Sequence, residues 1–280
     1  GTGLLITGGI SPNRQGWLLP LGGTLNHYGD VINHRRVTSA VHKEGGKILM
    51  QILHAGRYGY HPFVVSASNI KSPISMFKPR AMKEGEILKT IRDYGRCAKL
   101  AKLSGYDGVE LMGSEGYLLN QFICSRTNKR TDQWGGSLEN RMRLPVEIVK
   151  QVRKDVGKNF IIAYRLSLID LVEGGNSWDE IVTIAKALEA AGITILNTGI
   201  GWHEARVPTI VTSVPRAAFR DVTARIRKEL SIPVMASNRI NTPEDGESII
   251  ASGDADLISM ARPLLADADF VNKAAAGKAD

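Results

Sequence analysis

The sequence predicts an α/β fold of the (β/α)8 TIM-barrel type, in which parallel strands alternate with helices. Three features support this prediction: short apolar runs rich in β-branched residues, a burst of glycine, polar and charged residues at the end of each run, and a helical segment after it. The seven runs cover 4–7, 48–53, 108–112, 160–166, 193–197, 233–237 and 256–260. Because active sites of such barrels lie at the carboxyl ends of the strands, we expect function in the polar bursts.

The number of runs is one short of the eight strands that close such a barrel. The chain starts at Gly1, directly before the first run, so we expect that the first βα unit is missing and that residues 1–280 form one incomplete barrel domain. An open, doubly wound sheet is the alternative, since it tolerates seven strands. It is disfavoured because neither Gly1 and Gly3 nor Gly199 and Gly201 complete the dinucleotide-binding glycine pattern.

The segments between the runs show helical spacing and helix caps. Residues 84–103 place Ile87, Ile91 and Tyr94 on one face, and Ser177 with Glu180 forms a capping box before a helix over 178–190. The other predicted helices cover 33–42, 215–230, 242–251 and 266–276. The first long connection (56–82) and the second long connection (113–140) are either decorative insertions or, as we expect, a roof over the barrel mouth.

Composition is that of a globular catalytic domain, with 43% apolar and 23% charged residues. No apolar stretch approaches the roughly 20 residues that span a bilayer, so no membrane partner is expected. The formal net charge of +8 arises from basic residues scattered over helix faces, which does not favour nucleic acid. Cys97 and Cys124 are too few for a disulfide framework or a metal site, and we expect a cytoplasmic protein.

Several motifs carry a resemblance to a known family. The segments QILHAGR (51–57), GYDGVE (105–110) and DQWGGSLENR (132–141) resemble the old yellow enzyme family of FMN-dependent oxidoreductases. Within that family, GSEGY (113–117) and NTGIGWHEAR (197–206) look most like the bacterial 2,4-dienoyl-CoA reductases. The resemblance implies an FMN cofactor. It also implies that a full-length parent carries two electron-donating parts, a 4Fe-4S segment and an FAD- and NADPH-binding region. Neither part lies in this chain.

The resemblance also assigns the cofactor contacts. Arg239 would bind the FMN phosphate at the last strand ends, where barrels commonly hold phosphate, and Arg165 would stabilise the negative charge that develops at the pyrimidine edge. The alternative for Arg239 is a solvated surface arginine, and the alternative for Arg165 is a structural salt bridge. Gly9 resembles a position where a side chain would hit the flavin. The predicted FMN contacts are Gly9, Gln51, Arg165, Arg239, Ala261 and Arg262.

Tyr117 is the predicted general acid, because a phenol with an ordinary pKa near 10 is protonated at neutral pH. A packing tyrosine is the alternative. His203, from a different strand end, would polarise a thioester carbonyl or assist Tyr117. By resemblance the substrate contacts are Arg126, His203, Glu204, Ala205 and Arg206. His54 either lines the flavin or is held by a hydrogen bond in a tight turn.

The predicted function is therefore FMN-dependent reduction of a 2,4-dienoyl-CoA thioester, a step in the degradation of unsaturated fatty acids, with electrons from NADPH. The acyl-CoA is the small-molecule partner. A related flavin barrel that reduces another enone or oxidises an amine is one alternative. A non-redox barrel such as an aldolase would need a lysine or carboxylate at a strand end, and a non-catalytic fragment unable to hold FMN is the third.

Overall fold

The computed structural model describes residues 1–278. Its strands are β1 (Leu4–Ile6), β2 (Lys47–Ile52), β3 (Val65–Ser66), β4 (Arg80–Ala81), β5 (Gly108–Gly113), β6 (Ile161–Ile169), β7 (Ile195–Ile200), β8 (Val234–Ala236) and β9 (Leu257–Ile258). Seven of them form one parallel sheet in the order β1-β2-β5-β6-β7-β8-β9, and β3 pairs with β4 in a separate ribbon. Each of the seven predicted runs therefore contributes one strand to the main sheet.

The order of strands in the sheet follows the order in the chain, without the reversal that a doubly wound sheet requires. That alternative is wrong. Within residues 1–278, β1 pairs with β2 alone and β9 pairs with β8 alone. The sheet is curled, so that Gly1 at its start lies against the last helix, and a Cβ atom placed on Gly1 would come 3.0 Å from Val271 Cγ1.

The first seven helices lie between strands of the main sheet, and the last two follow β9. They are α1 (Val31–Lys43), α2 (Glu84–Leu103), α3 (Leu118–Ile123), α4 (Leu138–Val156), α5 (Trp178–Ala191), α6 (Arg220–Arg227), α7 (Pro243–Ala251), α8 (Arg262–Ala266) and α9 (Phe270–Ala275). The capping box predicted before α5 is present, since the Ser177 hydroxyl accepts the Glu180 N–H and the Glu180 carboxylate accepts the Ser177 N–H. This box fixes the start of α5 at the predicted residue.

Four helical segments differ from the expectation, and one of them is α3, which lies unpredicted within the second long connection. The helix predicted over 215–230 is limited to α6, and the one predicted over 266–276 is limited to α9, because Pro263 starts the separate short helix α8 before it and the chain turns between the two. The helix α4 has no predicted counterpart. Its interior contains Pro145, which normally breaks a helix and therefore obscures the periodicity.

The main core lies between the sheet and three helices, α2, α4 and α5. Strand β5 is buried along its whole length, which fixes the positions of the residues that follow it. The segment that most specifically marks the family resemblance serves this scaffold. Arg141 is buried, donates to the Ile123 carbonyl and the Asn176 side chain, and forms an ion pair with Glu180, so it joins α3 and α4 to α5.

No helix among residues 1–278 is long and apolar enough to cross a membrane. In the same part of the chain, histidine, cysteine, aspartate and glutamate side chains form no group of three that could hold a metal ion. Both cysteines are buried and free.

Candidate active site

Two cavities open at the carboxyl ends of the main sheet. The first, of about 370 Å³, is lined by the residues that follow β7, β8 and β9. The second, of about 470 Å³, is lined by residues that follow β1, β2 and β5. Glu115, Arg165 and His203 belong to the walls of both cavities. The two cavities are therefore adjacent and form one elongated site with these three side chains at its middle.

Tyr117 reaches the second cavity from the turn between β5 and α3. Two residues in this turn have left-handed backbones, with φ of +59° at Glu115 and +86° at Gly116. A Cβ atom at Gly116 would also collide with the rings of Tyr58 and Trp202. The turn thus requires glycine at 116, and it directs the next side chain toward the site as the sequence predicts.

Tyr117 and His203 are in direct contact. The Tyr117 hydroxyl lies 3.0 Å from His203 Nε2, and the two rings are in an edge-to-face arrangement with centroids 5.2 Å apart. Burial, with the nearby Glu115 charge, raises the pKa of Tyr117 to about 12, although Arg165 opposes the shift. The phenol is therefore protonated at neutral pH, and the 45% exposed His203 side chain connects it to solvent.

Glu115 is a site residue that the sequence analysis missed. Its carboxylate accepts from Arg165 Nη2 at 2.7 Å and lies 4.0 Å from His203 Nε2. Arg165, the arginine predicted at the pyrimidine edge, is thus paired with the Glu115 carboxylate. The Arg165 Nε atom is buried without a hydrogen-bond partner in the described chain. A signal was present in the sequence, because Glu115 is the one charged residue in the turn of small residues before Tyr117.

Gln51 lines the second cavity and is oriented by a buried carboxylate. Gln51 Nε2 donates to Glu110 Oε1 at 2.8 Å, and Asn197 Nδ2 donates to Glu110 Oε2 at 2.6 Å. Because a carboxylate only accepts hydrogen bonds, this pairing fixes which end of the Gln51 amide faces Glu110. The amide oxygen of Gln51 is turned away from Glu110 and is available to a ligand.

The far end of the site follows β8 and β9. Arg239 is 7% exposed, lines the first cavity, and donates through Nε to the Val214 carbonyl at 2.8 Å. Asn238 and Arg239 both have left-handed backbones, with φ of +66° and +59°. Ala261 and Arg262 line the same cavity, and Arg262 donates to the Ile210 carbonyl. The structure therefore brings the three predicted phosphate-binding residues together.

The residues predicted to contact substrate lie in different places. Ala205 lines the first cavity. The Glu204 side chain has no exposed surface and lines neither cavity, since it is paired with Arg57 and Arg126. Arg206 is exposed, lines neither cavity, and makes no hydrogen bond within residues 1–278. Of this set, only His203 and Ala205 reach the cavity walls.

Two further predictions concern His54 and Gly9. His54 is fully buried in a turn, where its Nδ1 accepts the Gly56 N–H at 3.1 Å, and burial lowers its pKa to about 3. It lines neither cavity, so the tight-turn alternative is the one observed. Gly9 lines the second cavity, and a Cβ atom there would come 2.7 Å from Leu53 Cδ1. Leu53 alone is enough to disfavour a side chain at position 9.

The first long connection does not roof the site. Its residues line neither cavity, and it packs behind the second long connection, where Ser66 donates to Gln121 and Arg130 donates to the Ala67 and Met82 carbonyls. The second long connection does contribute walls, through Glu115 and Tyr117. The roof expected from both connections is therefore formed by one of them.

Comparison with known sequences gives consistent matches. A sequence model described as the NADH:flavin oxidoreductase / NADH oxidase family matches residues 1–280. The chain is 38% identical to a metal reductase of Desulforamulus reducens, over 99% of the chain and 42% of that protein. It is 32% identical to a cinnamate reductase of Clostridium sporogenes, over 98% of the chain and 45% of that protein. The chain thus spans less than half the length of these relatives.

Two solved structures match the fold. One is a 2-naphthoyl-CoA reductase in complex with 2-naphthoyl-CoA, with a TM-score of 0.93 and 31% identity over 98% of this chain and 44% of the other. The second is an old yellow enzyme homologue from Zymomonas mobilis, with a TM-score of 0.85 and 26% identity over 98% of this chain and 79% of the other. These matches confirm the predicted TIM-barrel fold class.

Proposed function

Because the chain belongs to the NADH:flavin oxidoreductase / NADH oxidase family, which includes the old yellow enzymes, we propose that it binds FMN and reduces the activated C=C bond of a 2,4-dienoyl-CoA thioester. The observation that carries this proposal is the Tyr117–His203 pair on the wall of an elongated site. That pair provides a neutral proton donor in contact with a solvent-exposed imidazole.

The walls of the site fit FMN by their chemistry. Arg239 and the start of α8 offer a cation and backbone donors to a phosphate. At the middle of the site, the buried and unpartnered Arg165 Nε needs an acceptor, since an unsatisfied buried donor costs about 1–3 kcal/mol. A carbonyl oxygen on the pyrimidine ring would accept from Arg165 Nε, and the free Gln51 amide oxygen would accept from an N–H of the same ring. When bound, FMN supplies the hydride-donating centre that the reduction requires.

The chain's own residues hold and move the proton. Tyr117 is protonated at neutral pH, and burial together with Glu115 raises its pKa further above neutrality, to about 12. In our proposal it donates this proton to the substrate carbon that gains negative charge. A positioned donor of this kind contributes about 10²- to 10⁴-fold to a rate. His203, through the 3.0 Å contact, returns a proton to Tyr117 from solvent.

The choice of a thioester is supported by the neighbours and by charge. The structural neighbour is a reductase named for the thioester 2-naphthoyl-CoA, and the relative from Clostridium is named for cinnamate, a carboxylate with a conjugated C=C bond. Arg206 is exposed, and the Arg126 side chain is 32% exposed, so both remain candidates for contacts to the phosphates of coenzyme A. We further propose a cytoplasmic enzyme that receives electrons from NADPH through FAD and 4Fe-4S domains of a longer parent.

The test measures flavin uptake and reoxidation separately. The purified chain is titrated with FMN, reduced anaerobically with dithionite, and mixed with a 2,4-dienoyl-CoA, cinnamoyl-CoA or 2-cyclohexenone. We expect flavin absorbance to return fastest with the dienoyl thioester. Tyr117→Phe should slow this step about 10²- to 10⁴-fold without changing FMN affinity.

The matched control is Tyr60→Phe, because Tyr60 is exposed and its hydroxyl donates only to the Ile74 carbonyl. This variant should react like the wild type. Failure of the wild type to take up FMN would contradict cofactor binding by this chain. Equal rates for wild type and Tyr117→Phe would contradict the role of Tyr117, and a preference for cyclohexenone would favour a simple enone as substrate.

A further inference from the structure

The Glu204 carboxylate is fully enclosed beside the site. Its side chain has no exposed surface and accepts from Arg57 Nη2 at 2.6 Å and from Arg126 Nε at 2.9 Å. The hydroxyls of Tyr58 and Ser72 also donate to it, at 3.2 and 3.3 Å. We call these five residues the Glu204 cluster. Its donors come from the first long connection and from Arg126 of the second, so the cluster joins both connections to the segment after β7.

The buried part of the cluster is also fixed in position by several hydrogen bonds. Arg57 is 1% exposed and also donates through Nη1 to the Lys71 carbonyl at 3.0 Å, so its guanidinium is fixed from two sides. Burial and the Glu204 charge raise the pKa of Tyr58, which keeps its hydroxyl as a donor. A buried carboxylate is tolerated only when it is paired and hydrogen-bonded, and Glu204 meets both conditions. Its oxygens are therefore occupied by the protein and are not available to a substrate.

The residue on the other side of His203 is fixed in a similar way. Trp202 is buried and its Nε1 donates to Asp170 Oδ1 at 2.8 Å. Trp202 and Glu204 are thus bonded to partners outside the cavities, while His203 between them projects into the site and contacts Tyr117. The His203 main chain adds one hydrogen bond, from its N–H to the Glu115 carbonyl at 3.2 Å.

We propose that Glu204 is a positioning residue, which through its pairing with Arg57 and Arg126 holds His203 against Tyr117. This inference rests on the proposed function for its catalytic meaning, but the geometry it describes belongs to the chain alone. This role replaces the predicted one, in which the Glu204 side chain contacts the substrate directly. It also gives the first long connection a role, because that connection supplies three of the four donors to Glu204.

The decisive variant is Glu204→Gln, which keeps the size of the side chain but removes the charge and places N–H groups against donors. Histidine ring ¹⁵N signals are recorded for the wild type, Tyr117→Phe, Glu204→Gln and the double variant, in the absence of FMN and substrate. We expect Tyr117→Phe to shift the His203 signals in the wild-type background. That shift should be lost in the Glu204→Gln background. With FMN bound and substrate added, kcat of Glu204→Gln should fall about 10²-fold, as expected when reacting groups are misplaced, while KM changes little.

Two variants and one control make the result specific. Glu204→Asp should restore part of the Tyr117-dependent shift, because the carboxylate charge is kept. Tyr58→Phe, which removes one donor and keeps the ring, should weaken the shift and decides the question if Glu204→Gln does not fold. Glu229→Gln is the matched control, since Glu229 pairs with Lys186 on the surface far from the cavities.

A folded Glu204→Gln variant that keeps the full Tyr117-dependent shift and a kcat within about threefold of the wild type would show that Glu204 is only structural. An absent shift in the wild type would equally overturn the inference, since no Tyr117–His203 bond would exist to be positioned. Failure of the wild type to bind FMN or to reduce thioesters would contradict the proposed function alone, because the NMR comparison needs neither.

Discussion

The half of the elongated site that contains Tyr117 and the half that follows β8 and β9 are built in different ways. After β5, β6 and β7, the important side chains are bonded to one another: Arg165 to Glu115, His203 to Tyr117, and Glu204 to Arg57 and Arg126. After β8 and β9, Arg239 and Arg262 are bonded to main-chain carbonyls, and two consecutive residues have left-handed backbones. The half around Tyr117 and His203, which we call the rigid end, is held by side-chain networks, and the half after β8 and β9, which we call the less supported end, is held by loop conformation.

The packing of helices against the strands also differs between the two halves of the site. Helices α2, α4 and α5 bury large apolar side chains against β2, β5, β6 and β7. In the described chain, α8 and α9 bury no residue, and the end of β8 belongs to a small separate core cluster of Ala236, Ile240, Ile249 and Ala255. Proton transfer requires fixed distances, and the rigid end supplies them. An anionic ligand bound at the less supported end would stabilise the folded state, because it binds that state and not the unfolded chain.

The largest expected effect tests this difference in packing directly. Leu188 of α5 is fully buried, whereas Leu265 of α8 is 84% exposed. Leu188→Ala should lower the free energy of unfolding by about 2–5 kcal/mol, through lost burial and a residual cavity. Leu265→Ala should change it by no more than about 0.5 kcal/mol. Urea unfolding followed by circular dichroism measures both, and similar losses for the two variants would contradict the comparison.

The second prediction concerns the ligand at the less supported end. Arg239→Ala should weaken FMN binding about 10- to 100-fold, since a hydrogen bond to a charged group contributes about 1.5–3 kcal/mol. Arg262→Ala should have a smaller effect, because Arg262 is exposed to solvent whereas Arg239 is buried. Quenching of FMN fluorescence during a titration measures both affinities. If Arg239→Ala binds FMN as tightly as the wild type, the phosphate is not at this end.

Residue patterns were sufficient for much of this architecture. Alternating apolar runs and polar bursts predict all seven strands of the main sheet, and the glycines around Tyr117 predict that it is presented by a turn. The interpretation of Glu204 shows the limit. Its neighbours in sequence place it at the site, but the arginine that buries it, Arg57, is 147 positions away in the chain. Contacts of that range depend on how the connections pack, which local spacing does not reveal.

The smallest expected effect sharpens the account of the rigid end. Burial is the main reason that the pKa of Tyr117 is raised to about 12, Glu115 adds to the shift, and Arg165 opposes it. Glu115→Gln removes the negative charge and releases Arg165 from its ion pair, so both changes should lower the pKa of Tyr117 toward its ordinary value. A phenol with a raised pKa in the folded state makes the protein lose stability as the pH rises from about 10, where the unfolded chain ionises, to about 12. The variant should therefore lose less stability in this range than the wild type.

Absorbance at about 295 nm, after subtraction of the Tyr117→Phe titration, measures the ionisation of Tyr117 directly. Glu139→Gln, on the exposed face of α4, is the control. An unchanged midpoint in Glu115→Gln would mean that solvent screens the carboxylate from the phenol, and that the rigid end holds Tyr117 in its protonated form by burial alone.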